Sequence, residues 1–254
     1  MEADVESTRP MIADWNPQRS LNGFSIGVLC IDSHYPIIPG NVQHAGTFSF
    51  PVLYGIVEDV DLNALLAGDR ALEPRILRAG QRLLQQGVRV IAGACGSFAN
   101  YQSVAAAAFR VPTCMSVLTQ VPHLLTMISP NQKLLVYFAA ASAFTSQVRA
   151  ECSITEDHRA RLLVTQALDL PAFQAFANKP SILDTETLAR ELFEHASRLR
   201  VAHPEIGAVL LQCSDLPPFA HVIQQALRVP VFDVTLIIEW LFRSTLRQPY
   251  RGPQ

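Results

Sequence analysis

Cys95 and Cys213 are the residues whose placement suggests chemistry. The segments that hold them align as CGSFANYQSVAAAAFRVP above CSDLPPFAHVIQQALRVP. Both close in Arg-Val-Pro, at 110–112 and 228–230, so the two copies are offset by 118 positions. Each cysteine follows a short apolar run and precedes a stretch with helical character. In a parallel α/β sheet the carboxyl ends of the strands face the ligand crevice. A helix start there offers free N–H groups and a dipole that favours an anion, which draws a thiol down from about 8.5. Two such thiols presented to one ligand from opposite sides could remove a proton from one face of a carbon and deliver one to the other. One would act as thiolate base and the other as thiol acid. That is racemisation or epimerisation without a cofactor.

A single cysteine in an apolar run is more simply a small buried hydrophobe. Cys30, Cys114 and Cys152 are read that way. The register between the two copies lifts Cys95 and Cys213 out of that class. Their neighbours fit a small carboxylate substrate. Gly96 permits close backbone approach. Ser97 and Ser214 put hydroxyls beside the helix-start amides, where they serve as caps or as a carboxylate nest. Asp215 is placed to cap its helix, with Pro217 and Pro218 in the first turn. Asp32 and Ser33, at the end of the first strand, open onto the same crevice in a parallel sheet.

The elements that must position these residues alternate. Ser25–Ile31 and 51–60 read as extended, Leu72–Gln86 as helix with Gly87 as its stop, and 88–94 as strand. Helix follows over Phe98–Arg110, strand over Val111–Val117 and helix over Val121–Ile128. The pattern restarts with strands at Lys133–Ala139 and Arg161–Leu168 and a helix over Thr185–Arg200 capped by Asp184 or Thr185. A strand at 206–212, a helix over Pro218–Arg228, a strand at 229–234 and a closing helix over Thr235–Arg247 complete it. Strands alternating with helices predict an α/β fold with parallel sheets. The repeat predicts two pseudo-symmetric lobes with the site in the cleft between them. The first lobe takes 22–128 plus 234–250, the second 130–233, and residues 1–21 form a flexible lead-in.

Composition narrows the function classes. The chain has 254 residues, 49% hydrophobic and 17% charged, with a formal charge of −2. That suits a compact soluble protein and gives nucleic acid no basic surface. No apolar run reaches the roughly 18 residues of a membrane span. The acidic start MEADVESTRP is not a secretory signal, and five widely spaced cysteines form neither a disulfide framework nor a zinc site. The expected location is cytoplasmic. The seven histidines show no metal-ligand spacing, so no metal is expected.

The two cysteine motifs resemble those of the aspartate/glutamate racemase superfamily, over roughly residues 24–247. That group includes hydantoin racemases, maleate isomerases, arylmalonate decarboxylases and algal-type dimethylsulfoniopropionate lyases. Ala94-Cys95-Gly96-Ser97 is similar to the Ala-Cys-Asn-Thr of glutamate racemases. Gln212-Cys213-Ser214-Asp215-Leu216-Pro217 is similar to their Gly-Cys-Thr-His-Tyr-Pro, and Asp32-Ser33 to their Asp-Ser pair. The resemblance implies a two-lobed fold, a cysteine acid/base pair, no cofactor, and a possible homodimer. It departs at Asp215, where glutamate racemases carry histidine, and at Gly96, where they carry a substrate-contacting asparagine. These departures point away from an ordinary glutamate racemase; SDLPP and ACGSF, with the loop IDSHYPIIPGN, look closer to broad-family members whose substrates are poorly defined and to the lyase branch. The leading expectation is racemisation or epimerisation next to a carboxylate. A lyase or decarboxylase on the same fold, and a catalytically silent binder of small acids, are the alternatives.

Overall fold

The structure, a computed structural model, describes residues 19–32, 34–178 and 183–247. In chain order the first half holds β1 (Ile26–Ile31), β2 (Val52–Val57), α1 (Leu62–Ala67), α2 (Glu73–Gln85), β3 (Val90–Gly93), α3 (Gln102–Phe109), β4 (Thr113–Cys114) and α4 (Val121–Met127). The second half holds β5 (Lys133–Phe138), α5 (Ser146–Glu151), α6 (Glu156–Ala160), β6 (Leu162–Gln166), α7 (Pro171–Ala177), α8 (Thr185–Ala202), β7 (Ile206–Leu211), α9 (Ala220–Leu227), β8 (Val231–Phe232) and α10 (Val234–Thr245). The strands form two four-stranded parallel sheets, ordered β2-β1-β3-β4 and β6-β5-β7-β8. One topology is therefore used twice, as the sequence repeat requires.

Strand alternation shows how the sheets are joined. In the first sheet Ile26, Val28 and Cys30 face one way with Val90, Ala92 and Ala94. In the second, Leu134, Val136 and Phe138 do the same with Ala208 and Leu210. All of these belong to one buried core shared by both sheets. The opposite faces bury separate cores, Leu29 and Ile91 against α2 and α3, and Leu135, Tyr137 and Val209 against α8 and α9. Period-2 alternation with both faces apolar is what a doubly covered parallel sheet demands. The helix α10 returns to the first sheet, adding Val234, Ile237, Ile238 and Leu241 to the shared core.

The loops after the two central strands cross over. After β1, Tyr35 and Ile38 pack against the outer core of the second sheet. Gly40, at φ +98°, lies so near Pro218 that a Cβ there would sit 2.8 Å from the Pro218 Cα. After β5, Val148, Cys152 and Ile154 enter the shared core, and Glu151 accepts the Ser103 N–H at 2.8 Å. Each half thus carries a piece of the other's surface.

The edge strands β4 and β8 are shorter than their apolar runs suggest, because a capping residue ends each one. Past Cys114, the Ser116 hydroxyl accepts the Leu118 N–H and starts a 3-10 turn. Past Phe232, Asp233 accepts the N–H groups of Thr235 and Leu236 at 2.8 and 3.1 Å and starts α10. Asp233 is buried, so Asp233→Ala is expected to destabilise the protein by about 1–2 kcal/mol. Urea denaturation measures this, and an unchanged midpoint would refute it.

The closing helix ends at Thr245 rather than Arg247, and α8 runs to Ala202. Asp184 caps α8, accepting the Thr187 N–H at 2.9 Å. The short α1, α5, α6 and α7 had no counterpart in the sequence reading. Most of the lead-in, 1–18, and the tail from 248 lie outside the described residues. Ser20 and Leu21 are tied down, both donating to Gln86 Oε1 at 3.1 and 3.0 Å. Among the described residues, no helix is long and apolar enough to cross a membrane.

Candidate active site

The residue before each cysteine is fixed to the central strand of its sheet. The Ala94 N–H donates to Leu29 O at 2.8 Å, and the Gln212 N–H to Tyr137 O at 2.9 Å. Each cysteine then leaves its strand, and a 3-10 turn leads on to the helix, Gly96–Tyr101 before α3 and Pro217–Phe219 before α9. Both helices end on a left-handed arginine, Arg110 at φ 57° and Arg228 at φ 55°. The matched Arg-Val-Pro tripeptides are therefore matched turns.

The two cysteine loops meet across the lobes. Gly96 is pressed against Gln212, so that a Cβ on Gly96 would fall 2.0 Å from Gln212 Nε2 and 2.9 Å from the Gln212 carbonyl oxygen. The close approach that Gly96 permits here is of one loop to the other. Cys213 is 7% exposed and Cys95 is partly buried. A charge on Cys95 is felt at Cys213, whose thiol it raises.

Two residues on, the pseudo-symmetry breaks, and Ser97 corresponds to Asp215. Burial pushes the Cys95 thiol above its ordinary 9.0, while the Ser97 amide and hydroxyl, both hydrogen-bonded to it, pull it back. Burial pushes the Cys213 thiol well above 9.0 and the Asp215 charge pushes it further, against the pull of the Asp215 amide; the same charge also raises Cys95. The Cys213 thiol donates to Asp215 Oδ2 at 3.7 Å. Cys95 is thus equipped to carry the thiolate and Cys213 to keep its proton.

Asp215 does not cap its helix, contrary to the expectation from sequence. The N-cap position falls on Leu216, without a side-chain hydrogen bond. The carboxylate turns instead toward the loop after β1, where Tyr35 Oη donates to Oδ1 at 2.9 Å and Asn41 Nδ2 at 2.7 Å. Asn41 is 2% exposed and is locked by its own turn, with its Oδ1 accepting the Gln43 N–H and its carbonyl accepting the Thr47 hydroxyl. Burial raises the Asp215 carboxyl above its ordinary value, against the pull of these donors. Burial, then the Asp215 charge, raises the Tyr35 phenol.

Ser97 is buried and Ser214 partly buried beside the cysteines. Asp32 is exposed, and its ion pair among the described residues is with the exposed His34 at 3.7 Å. Ser33 lies outside the described residues. Tyr35, Asn41 and Gln212 were missed as individuals. The proline-rich loop holding the first two was visible, and Gln212 is a polar residue ending an otherwise apolar run. Among the described residues, no three His, Cys, Asp or Glu side chains are grouped to hold a metal ion.

No protein-family model matches the chain. Dimethylsulfoniopropionate lyase 3 of Emiliania huxleyi (strain CCMP1516) is 27% identical over 237 residues, covering 90% of this chain and 61% of that protein. The chain therefore spans less than two thirds of that relative's length. A dimethylsulfoniopropionate lyase of Durusdinium sp. clade D is 28% identical over 236 residues, covering 90% of this chain and 77% of that one. Among solved structures, the aspartate racemase of Picrophilus torridus superposes with a TM-score of 0.56 at 14% identity, covering 87% of this chain and 94% of that one. The glutamate racemase of Francisella tularensis subsp. tularensis SCHU S4, in complex with D-glutamate, gives 0.51 at 15% identity, covering 92% and 87%.

Proposed function

From a chain that has the fold of the aspartate/glutamate racemase superfamily, we propose a cofactor-free enzyme that removes a proton from the carbon next to a carboxylate, with Cys95 as base. Within that chemistry we assign it as a lyase of the dimethylsulfoniopropionate type. Cys95 thiolate takes the α-proton, the C–H electrons form the alkene, and the bond from the β-carbon to the sulfonium breaks toward sulfur. The products are acrylate and neutral dimethyl sulfide, so the leaving group needs no acid. Amides and hydroxyls at Ser97 and Ser214 steady the charge that develops on the carboxylate.

The observation that carries this reading is the unlike pair of partners two residues beyond the thiols. A racemase working in both directions needs each thiol to serve in turn as base. The Asp215 charge opposes a thiolate at both sulfurs, and each thiol has a supporting backbone amide two residues on; the difference lies in the side chains, where the Ser97 hydroxyl supports a thiolate at Cys95 and the Asp215 carboxylate opposes one at Cys213. The relatives among dimethylsulfoniopropionate lyases support the same choice. Racemisation or epimerisation is the second reading, favoured by the equivalent placement of the two thiols at the ends of β3 and β7.

Incubation in deuterated buffer separates the two. Release of dimethyl sulfide and acrylate is the expected result, and deuterium entering the α-carbon of a chiral acid with loss of rotation, without alkene, would favour the second reading. The pH profile follows from the raised Cys95 thiol. A base with a raised pKa is protonated at neutral pH and gains thiolate as pH rises, so kcat/KM for dimethyl sulfide release is expected to climb through pH 9. A plateau below pH 8 would remove Cys95 as the base.

A further inference from the structure

The two loops that cross between the lobes are held in unlike ways. The one after β5 is rooted by the buried apolar side chains Val148, Cys152 and Ile154 in the shared core. The one after β1 lies along the second lobe over His34–Gly40, and no residue of that stretch is fully buried. It is rooted only at its far end, where Val42 enters the shared core. There the Thr47 hydroxyl accepts the Gly40 N–H at 3.0 Å and donates to the Asn41 carbonyl at 2.6 Å. Its ties to the second lobe are mainly polar, with Tyr35 Oη and Asn41 Nδ2 donating to one oxygen of Asp215 at 2.9 and 2.7 Å. The apolar ties are the half-buried Tyr35 and Ile38 and the contact of Gly40 with Pro218. A segment with few buried apolar contacts opens locally at less cost than the core beneath it.

This segment covers the second thiol's side of the site. The carboxylate it grips receives the Cys213 thiol on its other oxygen, and Cys213 is 7% exposed. The crevice between Pro36, Ile38 and Asn41 on one side and Asp215, Pro218 and Phe219 on the other has about 10 Å³ of free room, no more than one water molecule needs. Two larger cavities, of about 560 and 430 Å³, are lined by neither Cys95 nor Cys213. The seam between the cysteine loops is itself shut, with Gly96 against Gln212. A small acid that is to lie between the thiols needs this covering to part.

We infer that residues 34–41 form a strap that gates the Cys213 side of the active site, with the hydrogen bonds from Tyr35 and Asn41 to Asp215 as its latch. The structure shows the strap closed. Closure shuts water out of the site, and release of the latch lets the strap lift from the second lobe and admit the substrate. Both ties end on one carboxylate oxygen, so a movement that draws the strap away from Asp215 breaks them together. Hydrogen bonds to a charged group are strong enough to favour the closed form, and two of them are few enough to be released. The gate deepens the proposed function and rests on it for the identity of what enters.

The test measures how fast iodoacetamide alkylates each cysteine, resolved peptide by peptide by mass spectrometry. Wild type is compared with Tyr35→Phe, which keeps the ring edge-on to Phe176 and loses only the phenol's hydrogen bond, and with Tyr35→Phe/Asn41→Ala. Cys213 is expected to react about tenfold faster in Tyr35→Phe, for the loss of one hydrogen bond to a charged group, and faster still in the double variant. Cys30, Cys114 and Cys152, buried in the shared core, should keep their wild-type rates. Ultraviolet thiolate absorbance at the same pH separates access from acidity, since a lifted strap speeds labelling beyond any gain in thiolate. Unchanged labelling of Cys213 in Tyr35→Phe overturns the gate. So does a labelling gain matched by an equal gain in thiolate, or a parallel gain at the three core thiols. Should the double variant fail to fold, Tyr35→Phe alone decides. Dimethyl sulfide release by wild type is scored separately. Latch-dependent labelling without any release would sink the lyase reading and leave the strap standing, whereas release with labelling indifferent to the latch would do the reverse.

Discussion

Cys95→Ala is expected to lower kcat/KM for dimethyl sulfide release by about 10²–10⁴-fold, the range for loss of a positioned general base. The thiol is small and only partly buried, so the fold should persist, with circular dichroism and thermal midpoint close to wild type. Cys213→Ala is the informative companion. In the elimination the leaving group departs as a neutral sulfide, so Cys213 donates no proton, and its loss should cost far less than the loss of Cys95. In a two-base racemisation the losses would be comparable, because each enantiomer uses both thiols. Equal, large effects of the two variants on dimethyl sulfide release would therefore remove the division of labour drawn from Ser97 and Asp215. Gas chromatography of headspace sulfide, with both variants assayed at matched protein concentration, decides it.

How much of this was legible in the sequence depended on the range of the interaction. The repeat around Cys95 and Cys213 is local and periodic, so the repeated topology, the strand ends and the helix starts could be read from it. Edge strands were misjudged because apolar content does not report pairing. Val111–Val117 is apolar enough for a long strand, but only Thr113 and Cys114 find partners on β3 before Ser116 turns the chain. Asp215 was misassigned for a related reason. A short polar side chain just before a proline-rich turn is placed to cap, and nothing in the local sequence reports that Tyr35 and Asn41 arrive from a loop about 180 residues earlier. The contact of Gly96 with Gln212 is likewise invisible without the fold, although a glycine at that position was a clear signal that something comes close.

That contact sets the second large effect. Gly96 is not among the residues with positive φ, so its backbone is one alanine adopts without strain, and on conformational grounds alone Gly96→Ala would stabilise the protein slightly. The steric consequence runs the other way. The added Cβ would lie 2.0 Å from Gln212 Nε2 and 2.6 Å from its Cδ, contacts a side chain can relieve by rotating. It would also lie 2.9 Å from the Gln212 carbonyl oxygen, which belongs to the backbone and sits one residue from Cys213. The loops must then part, and the residues on either side of that seam are the two cysteines. Misplacement of reacting groups by about 1 Å can cost about 10²-fold, so Gly96→Ala is expected to lower kcat/KM by about that factor while the thermal midpoint moves little. Adding Gln212→Ala should restore part of the activity by removing the side-chain half of the clash but not the carbonyl half. Wild-type kcat/KM in Gly96→Ala would mean that the spacing of the two loops does not set the geometry of the reaction, and that the thiols act independently of the seam between them.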